Sequence, residues 1–259
     1  MFLRAASENR PYHLGSFPEE VLPRDLRVRR DEAIRPVSAG QSPSSPVRGP
    51  FGSAVRRYYE LFAALADGKV ADGKAPVPDD LRRRSIDIKG GGYFLNAAQV
   101  GICRIPDNAW LEGTEALPHD YAVAVLVEHA RTPEAGNPAR DWVAGSEQAA
   151  AELRAGEIAC CLAGHIRAMG FAARTHGAGH TALDLERLAV LAGLAVRRAH
   201  ALHNPFLDDC FSIAVVSTEY ALAEDEPLAA DVDGVNGLHY WLGINGAESG
   251  RERNRRAKR

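Results

Sequence analysis

Seven consecutive residues, Tyr121-Ala-Val-Ala-Val-Leu-Val127, constrain this chain more than any other segment. They are rich in valine and contain no alternating polar residue, so neither face suits water. This predicts a central strand covered on both sides. The run is far shorter than the roughly 20 apolar residues of a membrane-spanning helix, and no other stretch of the 259 residues approaches that length. Covering both faces of a strand requires apolar helices on either side, and the 46% hydrophobic content can supply them.

Upstream, Val55, Tyr58, Tyr59, Phe62 and Leu65 recur at helical spacing after Ser53, an N-cap residue type, with Gly68 near the stop. That predicts an amphipathic helix followed by a polar loop reaching Asp80. Ile86 and Ile88 then precede Gly90, Gly91 and Gly92, and the apolar segment Tyr93 to Ile105 follows. Glycines before a helix can cradle a phosphate. With no Gly-Lys-Ser/Thr and no G-x-G-x-x-G, these three are read as a helix entry or a point of close packing.

Beyond the central strand, Gly145 to Met169 predicts a long helix. Its stripe is Ile158, Leu162, Ile166 and Met169; Glu147, Glu152, Arg154 and Arg167 lie away from it, and Gly170 is placed to end it. A short strand from Phe171 to Arg174, a glycine-containing loop and a helix with Leu188, Leu191, Ala192 and Ala195 on one face come next. The β-rich run Phe211 to Ser217 continues toward Leu222. Strands interleaved with helices give an α/β, layered domain over residues 53–230. Residues 1–52, rich in proline, arginine and serine, are expected to wrap over a surface without a core of their own. Residues 231–259 are read as a linker that closes in a basic run.

Few function classes survive this pattern. With 31 basic and 34 acidic residues, no global field favours nucleic acid or an anionic membrane. The N-terminus lacks a signal-peptide core, and Arg29-Arg30 is followed by Asp31, Glu32 and Pro36 instead of an apolar segment, so a cytoplasmic location is expected. Cys103, Cys160, Cys161 and Cys210 lack iron–sulfur spacing, and the vicinal pair is expected to behave as small core hydrophobes. His176 and His180 flank glycines that discourage a helix, and no third metal ligand lies nearby; His200 and His203 fare no better. His165 is expected at the boundary of its helix stripe. No G-x-S-x-G elbow occurs, and Asp208-Asp209 follow Pro205 in a loop where acids cap turns. No residue is assigned as catalytic or as a metal ligand, and no cofactor-binding residue is assigned.

One resemblance covers most of residues 1–222. The segment Ile88-Lys-Gly-Gly-Gly-Tyr-Phe-Leu-Asn-Ala-Ala-Gln-Val-Gly-Ile102, continuing through Cys103-Arg-Ile-Pro106 and Asn108-Ala-Trp110, resembles the reductive dehalogenases. So do Ala159-Cys-Cys-Leu-Ala-Gly-His-Ile-Arg-Ala-Met-Gly-Phe-Ala-Ala173, His180-Thr-Ala-Leu183 with Leu191-Ala-Gly-Leu194, and the opening Glu8-Asn-Arg-Pro-Tyr-His-Leu-Gly15. The resemblance implies a nitroreductase-like, corrinoid-processing-protein-like sheet flanked by helices. It places the chain at the N-terminal half of the soluble catabolic branch. In such a parent enzyme cobalamin and two 4Fe–4S clusters would act on an organohalide, fed by an electron-donor protein; the partners of this chain would be the cobalamin-binding and ferredoxin-like portions.

Two departures bear on the cofactor loop. His180 stands where the resemblance implies an acid, and Leu194 is followed by Ala195-Val-Arg-Arg198 where Gly-Glu is implied. The family's catalytic tyrosine and lysine have no counterpart here. The expectation is therefore a scaffold portion with no cofactor of its own. The alternatives are a stand-alone corrinoid- or flavin-binding module and a structural domain that forms a homodimer.

Overall fold

The structure is a computed structural model and describes residues 10–40, 46–199 and 201–232. Four antiparallel strands form the main sheet in the order β1 (Gln99–Arg104), β2 (Tyr121–Glu128), β6 (Phe211–Thr218), β3 (Ala173–His176). The run that anchors the sequence reading is β2, flanked on both edges, with Val123 opposite Val216 and Ala124 opposite Val215. Its side chains alternate between two cores. Val123 and Val125 meet Ile158, Leu162 and Ile166 on one face; Ala122, Ala124 and Leu126 meet Leu188, Leu191 and Trp110 on the other. Both faces are dry, which is why neither register of the strand carries a polar residue.

Helices supply the two layers. On the first face lie α2 (Gly49–Ala63), α3 (Leu81–Phe94) and α5 (Glu147–Ala168), with the one-turn α4 (Arg140–Val143) beside α2. On the second lies α6 (Leu185–Leu191), crossed on its outside by α1 (Arg27–Ile34). A two-stranded ribbon, β4 (Val196–Arg197) with β5 (Leu202–His203), follows α6. Among the described residues no helix is long and apolar enough to cross a membrane.

Several elements differ from the sequence reading, each for a local reason. Helix α2 begins at Gly49 with proline in its first turn, so Ser53 lies inside it and donates back to the Gly49 carbonyl at 3.0 Å. The polar loop does run to Asp80, which then caps a helix the reading did not place there, α3, by accepting from the Arg82 N–H at 2.9 Å. The three glycines therefore fall in the last turns of α3, not before a helix. Two of them serve close packing, since a Cβ on Gly92 would sit 2.7 Å from a Val100 methyl and one on Gly91 3.3 Å from a Leu162 methyl, whereas Gly90 has nothing within 4 Å.

Helix α5 spans nearly the predicted range and gives way to Gly170 at φ 86°. Glu152 and Arg167 are nevertheless buried, because α2 and the segment after it cover a second side of α5. Glu152 pairs with Arg56 at 2.8 Å, and Arg167 donates to the Ala173 carbonyl at 2.9 Å. His165 is exposed, not at a boundary, and of the vicinal thiols Cys160 is half-buried and Cys161 exposed. The Gly170 turn delays β3 to Ala173–His176, so that it starts and ends two residues later than predicted. Helix α6 stops at Leu191, so Ala195 lies past the Gly193 turn in a small cluster with Ala189, Val190 and Leu202. Residues 233–259, which carry most of the expected linker and the basic run, lie outside the described residues.

Candidate functional site

The loop from β3 to α6, His176 to Thr181, holds two histidines, the second of which is the first departure noted above. Strand β3 carries His176 into the interior, 1% exposed. Its Nδ1 accepts from the Ala182 N–H at 3.4 Å, so the neutral ring carries its proton on Nε2, which donates to the Ser217 hydroxyl at 2.9 Å. Ser217 in turn donates to His119 Nδ1 at 2.8 Å. Burial pushes the His176 pKa down to about 3, helped by the nearby Arg174 charge. Both ring nitrogens are engaged and the imidazole stays neutral. The chain His176–Ser217–His119 fixes the positions of β3, β6 and the turn before β2.

His180 points the other way. Its Nδ1 lies 3.1 Å from the Tyr59 hydroxyl, which donates to the Ala178 carbonyl at 2.8 Å. Burial pushes the Tyr59 pKa up, so it stays a neutral donor, and burial lowers that of His180. A Cβ on Gly177 would lie 2.6 Å from that hydroxyl and 2.8 Å from the His180 ring. The loop is thus packed by its own side chains and by Tyr59 of α2. The structure does not bring His176 and His180 together as a ligand pair, and among the described residues no group of three or more His, Cys, Asp or Glu could hold a metal. His200 lies outside the described residues, and His203 lies 3.9 Å from Asp208 at the surface. Asp208, at φ 55°, turns the loop, and Asp209 beside it accepts from Cys210.

Beyond the loop opens a cavity of about 450 Å³, lined among others by Ser38, Gln148, Asp184, Glu186 and Arg197. Sequence reasoning missed it because its walls come from six separate segments of the chain. Its charges are largely paired across the walls. Ser38 donates to Asp184 at 2.5 Å, Arg197 holds Glu32 at 2.8 Å and Glu186 at 3.2 Å, and Arg187 lies 3.5 Å from Glu32. The volume suits a small molecule.

A corrinoid with its nucleotide tail is larger than the cavity, and the turn at Gly193, just before Leu194, is already filled. Gly193, at φ 70°, lies beneath Arg24, which donates to its carbonyl at 2.9 Å and to that of Glu226 at 2.8 Å. A single Cβ there would meet the Arg24 guanidinium at 2.2 Å. Ala195 and Val196 are buried behind it. For a cluster, the thiols are dispersed: Cys103 is in the second core with its pKa pushed up by burial, and Cys161 and Cys210 are at the surface. Among the described residues, the cavity and the thiols fit neither group.

No family model and no curated protein matches the chain. Solved structures do. The catabolic reductive dehalogenase NpRdhA aligns with 97% of this chain at 37% identity and a TM-score of 0.79. NpRdhA in complex with 3-bromo-4-hydroxybenzoic acid gives 0.78 over the same share at the same identity. A reductive dehalogenase described for B12-dependent dehalogenation gives 0.79 at 38% identity, again over 97%. The chain spans 36% of the length of the first and 35% of the other two. By sequence identity and fold over nearly all of its own length, while spanning about a third of theirs, the chain belongs to the reductive dehalogenase family.

Proposed function

We propose that this chain is a scaffold portion of a cobalamin-dependent reductive dehalogenase, corresponding to the N-terminal, nitroreductase-like half of the soluble catabolic branch. The observation that supports this reading is the filled turn at Gly193, where Arg24 and the Glu226 backbone leave no room even for a Cβ. In the parent enzyme cobalamin supplies the dehalogenation chemistry and iron–sulfur clusters supply electrons, in portions outside this chain. This chain contributes a rigid two-core sheet against which those portions are held. The bromohydroxybenzoate bound to NpRdhA supports a haloaromatic as the parent's substrate class. The reading carries with it a cytoplasmic location and an electron-donor protein as a further partner.

The test is isothermal titration of the purified chain with reduced cobalamin and, separately, with flavin mononucleotide. No binding at micromolar concentration is the expected result for both. A micromolar or tighter dissociation constant for cobalamin would make this half a functioning corrinoid site and overturn the assignment. The same affinity for the flavin would favour a stand-alone binding module.

A further inference from the structure

The connection that leaves α2 lies against the last turns of α5, and a groove of about 500 Å³ runs between them. Its walls are largely apolar: Leu65, Val70 and Ala71 come from the connection, Gly164 and Ala168 from α5. The Cys160 thiol also lines it; burial pushes its pKa up, so it stays neutral and donates to the Phe62 carbonyl at 3.3 Å. The exception is Arg167, which is 9% exposed. Its Nη1 donates to the carbonyls of Ala173 at 2.9 Å and Ala66 at 3.3 Å. Among the described residues Nε and Nη2 have no hydrogen-bond partner, and no carboxylate pairs with the guanidinium. A buried charge is ordinarily paired. Arg187, also deeply buried, has both Glu32 and Asp184 beside it. The backbone admits the Arg167 head at Gly68, where a Cβ would lie 2.9 Å from Nε and 3.1 Å from both Cζ and Nη2. Three nearly equal distances place Gly68 over the face of the guanidinium, so it does not block the in-plane direction along which Nε and Nη2 donate.

We propose that this groove binds a small carboxylic acid with an apolar body, its carboxylate held by Nε and Nη2 of Arg167 and its body laid along Leu65, Val70 and Ala168. The two N–H groups on that edge of a guanidinium form a fork that matches the two oxygens of a carboxylate. Lys69 adds a second positive charge at the groove and shares it with Asp72 at 3.6 Å. The one carboxylate among the lining residues, Asp67, lies 3.5 Å from Arg174. An apolar wall with one convergent polar group is the usual make-up of a small-molecule site. Inorganic phosphate would find the same fork but gain nothing from the wall, so the wall selects the acid. Such a site is compatible with a scaffold role and does not depend on it.

The test titrates the 259-residue chain with benzoate, followed by ligand-observed NMR, and repeats the titration with benzamide and with inorganic phosphate. Benzoate should saturate with a dissociation constant of about 1 mM or tighter, a reasonable affinity for so small a ligand. Benzamide, of the same shape without the charge, and phosphate, without the apolar body, should each bind about tenfold more weakly or worse. The decisive variant is Gly164→Leu. A Cβ on Gly164 meets nothing within 4 Å, so the side chain fills the groove without displacing the protein. It should weaken benzoate by about tenfold or more while the Tm holds or rises, because leucine is the better helix former. Arg167→Lys, which keeps a charge and loses the fork, should weaken it by a similar factor. No saturation by benzoate up to about 10 mM would overturn the proposal, as would an affinity that Gly164→Leu leaves unchanged. Phosphate binding as tightly as benzoate would also overturn it, because the wall would then select nothing.

Discussion

Glu32 offers a direct measure of how the N-terminal segment is held to the domain. Its carboxylate is 3% exposed and sits between Arg187 Nε at 3.5 Å and Arg197 Nε at 2.8 Å. Arg187 is itself 1% exposed, and the side-chain amide of Asn108 further ties α1 down by donating to the Glu32 carbonyl at 2.9 Å. Glu32→Gln keeps the shape and removes the charge. Breaking a buried pair from one side costs about 3–5 kcal/mol, because the other charge stays behind. Here Asp184 remains 3.8 Å from Arg187, and Pro36 still accepts from it at 2.7 Å. These partners place the loss near the lower end, about 3 kcal/mol. At about 2–4 °C per kcal/mol for a domain of this size, the Tm should fall by roughly 6–12 °C. Thermal unfolding followed by circular dichroism measures this, and trypsin should cut sooner at Arg27, Arg29 and Arg30 in the variant. Replacing Glu32, Arg187 and Arg197 together with apolar residues should restore only part of the loss, since the buried Asp184 then keeps just the Ser38 hydroxyl and the residue-187 N–H as partners. A Glu32→Gln loss below about 1 kcal/mol would refute the reasoning, showing that Asp184 alone suffices to hold Arg187.

Other outcomes follow from the same structure. Gly101→Ala places a Cβ 2.4 Å from the Ala192 carbonyl oxygen and should cost about 1–3 kcal/mol in urea unfolding; a change within about 0.5 kcal/mol would mean that α6 shifts outward freely. His176 titrates lower in the folded chain, about 3, than in the unfolded chain, near 6.5. Its contribution is therefore complete above pH 6.5 and is lost as the pH falls from there toward 3. Urea stability should decline on acidification through that window, and an imidazole seen by NMR to titrate near 6.5 in the native protein would contradict this. Anaerobic reconstitution with iron and sulfide should yield no stoichiometric 4Fe–4S cluster, because the four cysteines are not positioned to converge on one; iron and acid-labile sulfide analysis decides it.

The parts of this fold that were legible in the sequence are those where one physical demand dominates. Strand β2 could be read because a valine run with no polar alternation has only one solution, and α5 because its stripe and terminal Gly170 agree. What escaped needed knowledge of a second neighbour. Periodicity picks both Tyr58 and Tyr59 as apolar positions of α2, but only the packing of α5 shows that Tyr59 is inside and Tyr58 outside. The same blindness put Glu152 and Arg167 on a wet face. The buried chain His176–Ser217–His119 joins residues up to 98 positions apart and leaves no local signature. A signal for the tight loop did exist: glycines between two histidines before Thr-Ala-Leu mark a backbone that must pass close to something, here Tyr59 and the His180 ring. Position 180 and the turn after Leu194 stood out only against the family resemblance.

The position of Arg24 over the Gly193 turn has a consequence for anyone wishing to engineer a ligand site into this half. Restoring glycine and glutamate at Ala195 and Val196 would revert the nearby letters and leave the entrance shut. The obstruction is a guanidinium delivered from 169 residues away in the chain, locked by carbonyls on both sides and by Glu19 at 3.0 Å. Opening the turn therefore means first re-routing the segment that carries Arg24, which also pairs with the backbone of Leu228 and, at Asp25, of Pro227. A graft at this turn is thus a problem of chain threading before it is one of side-chain chemistry, and the first substitution to make is Arg24→Ala.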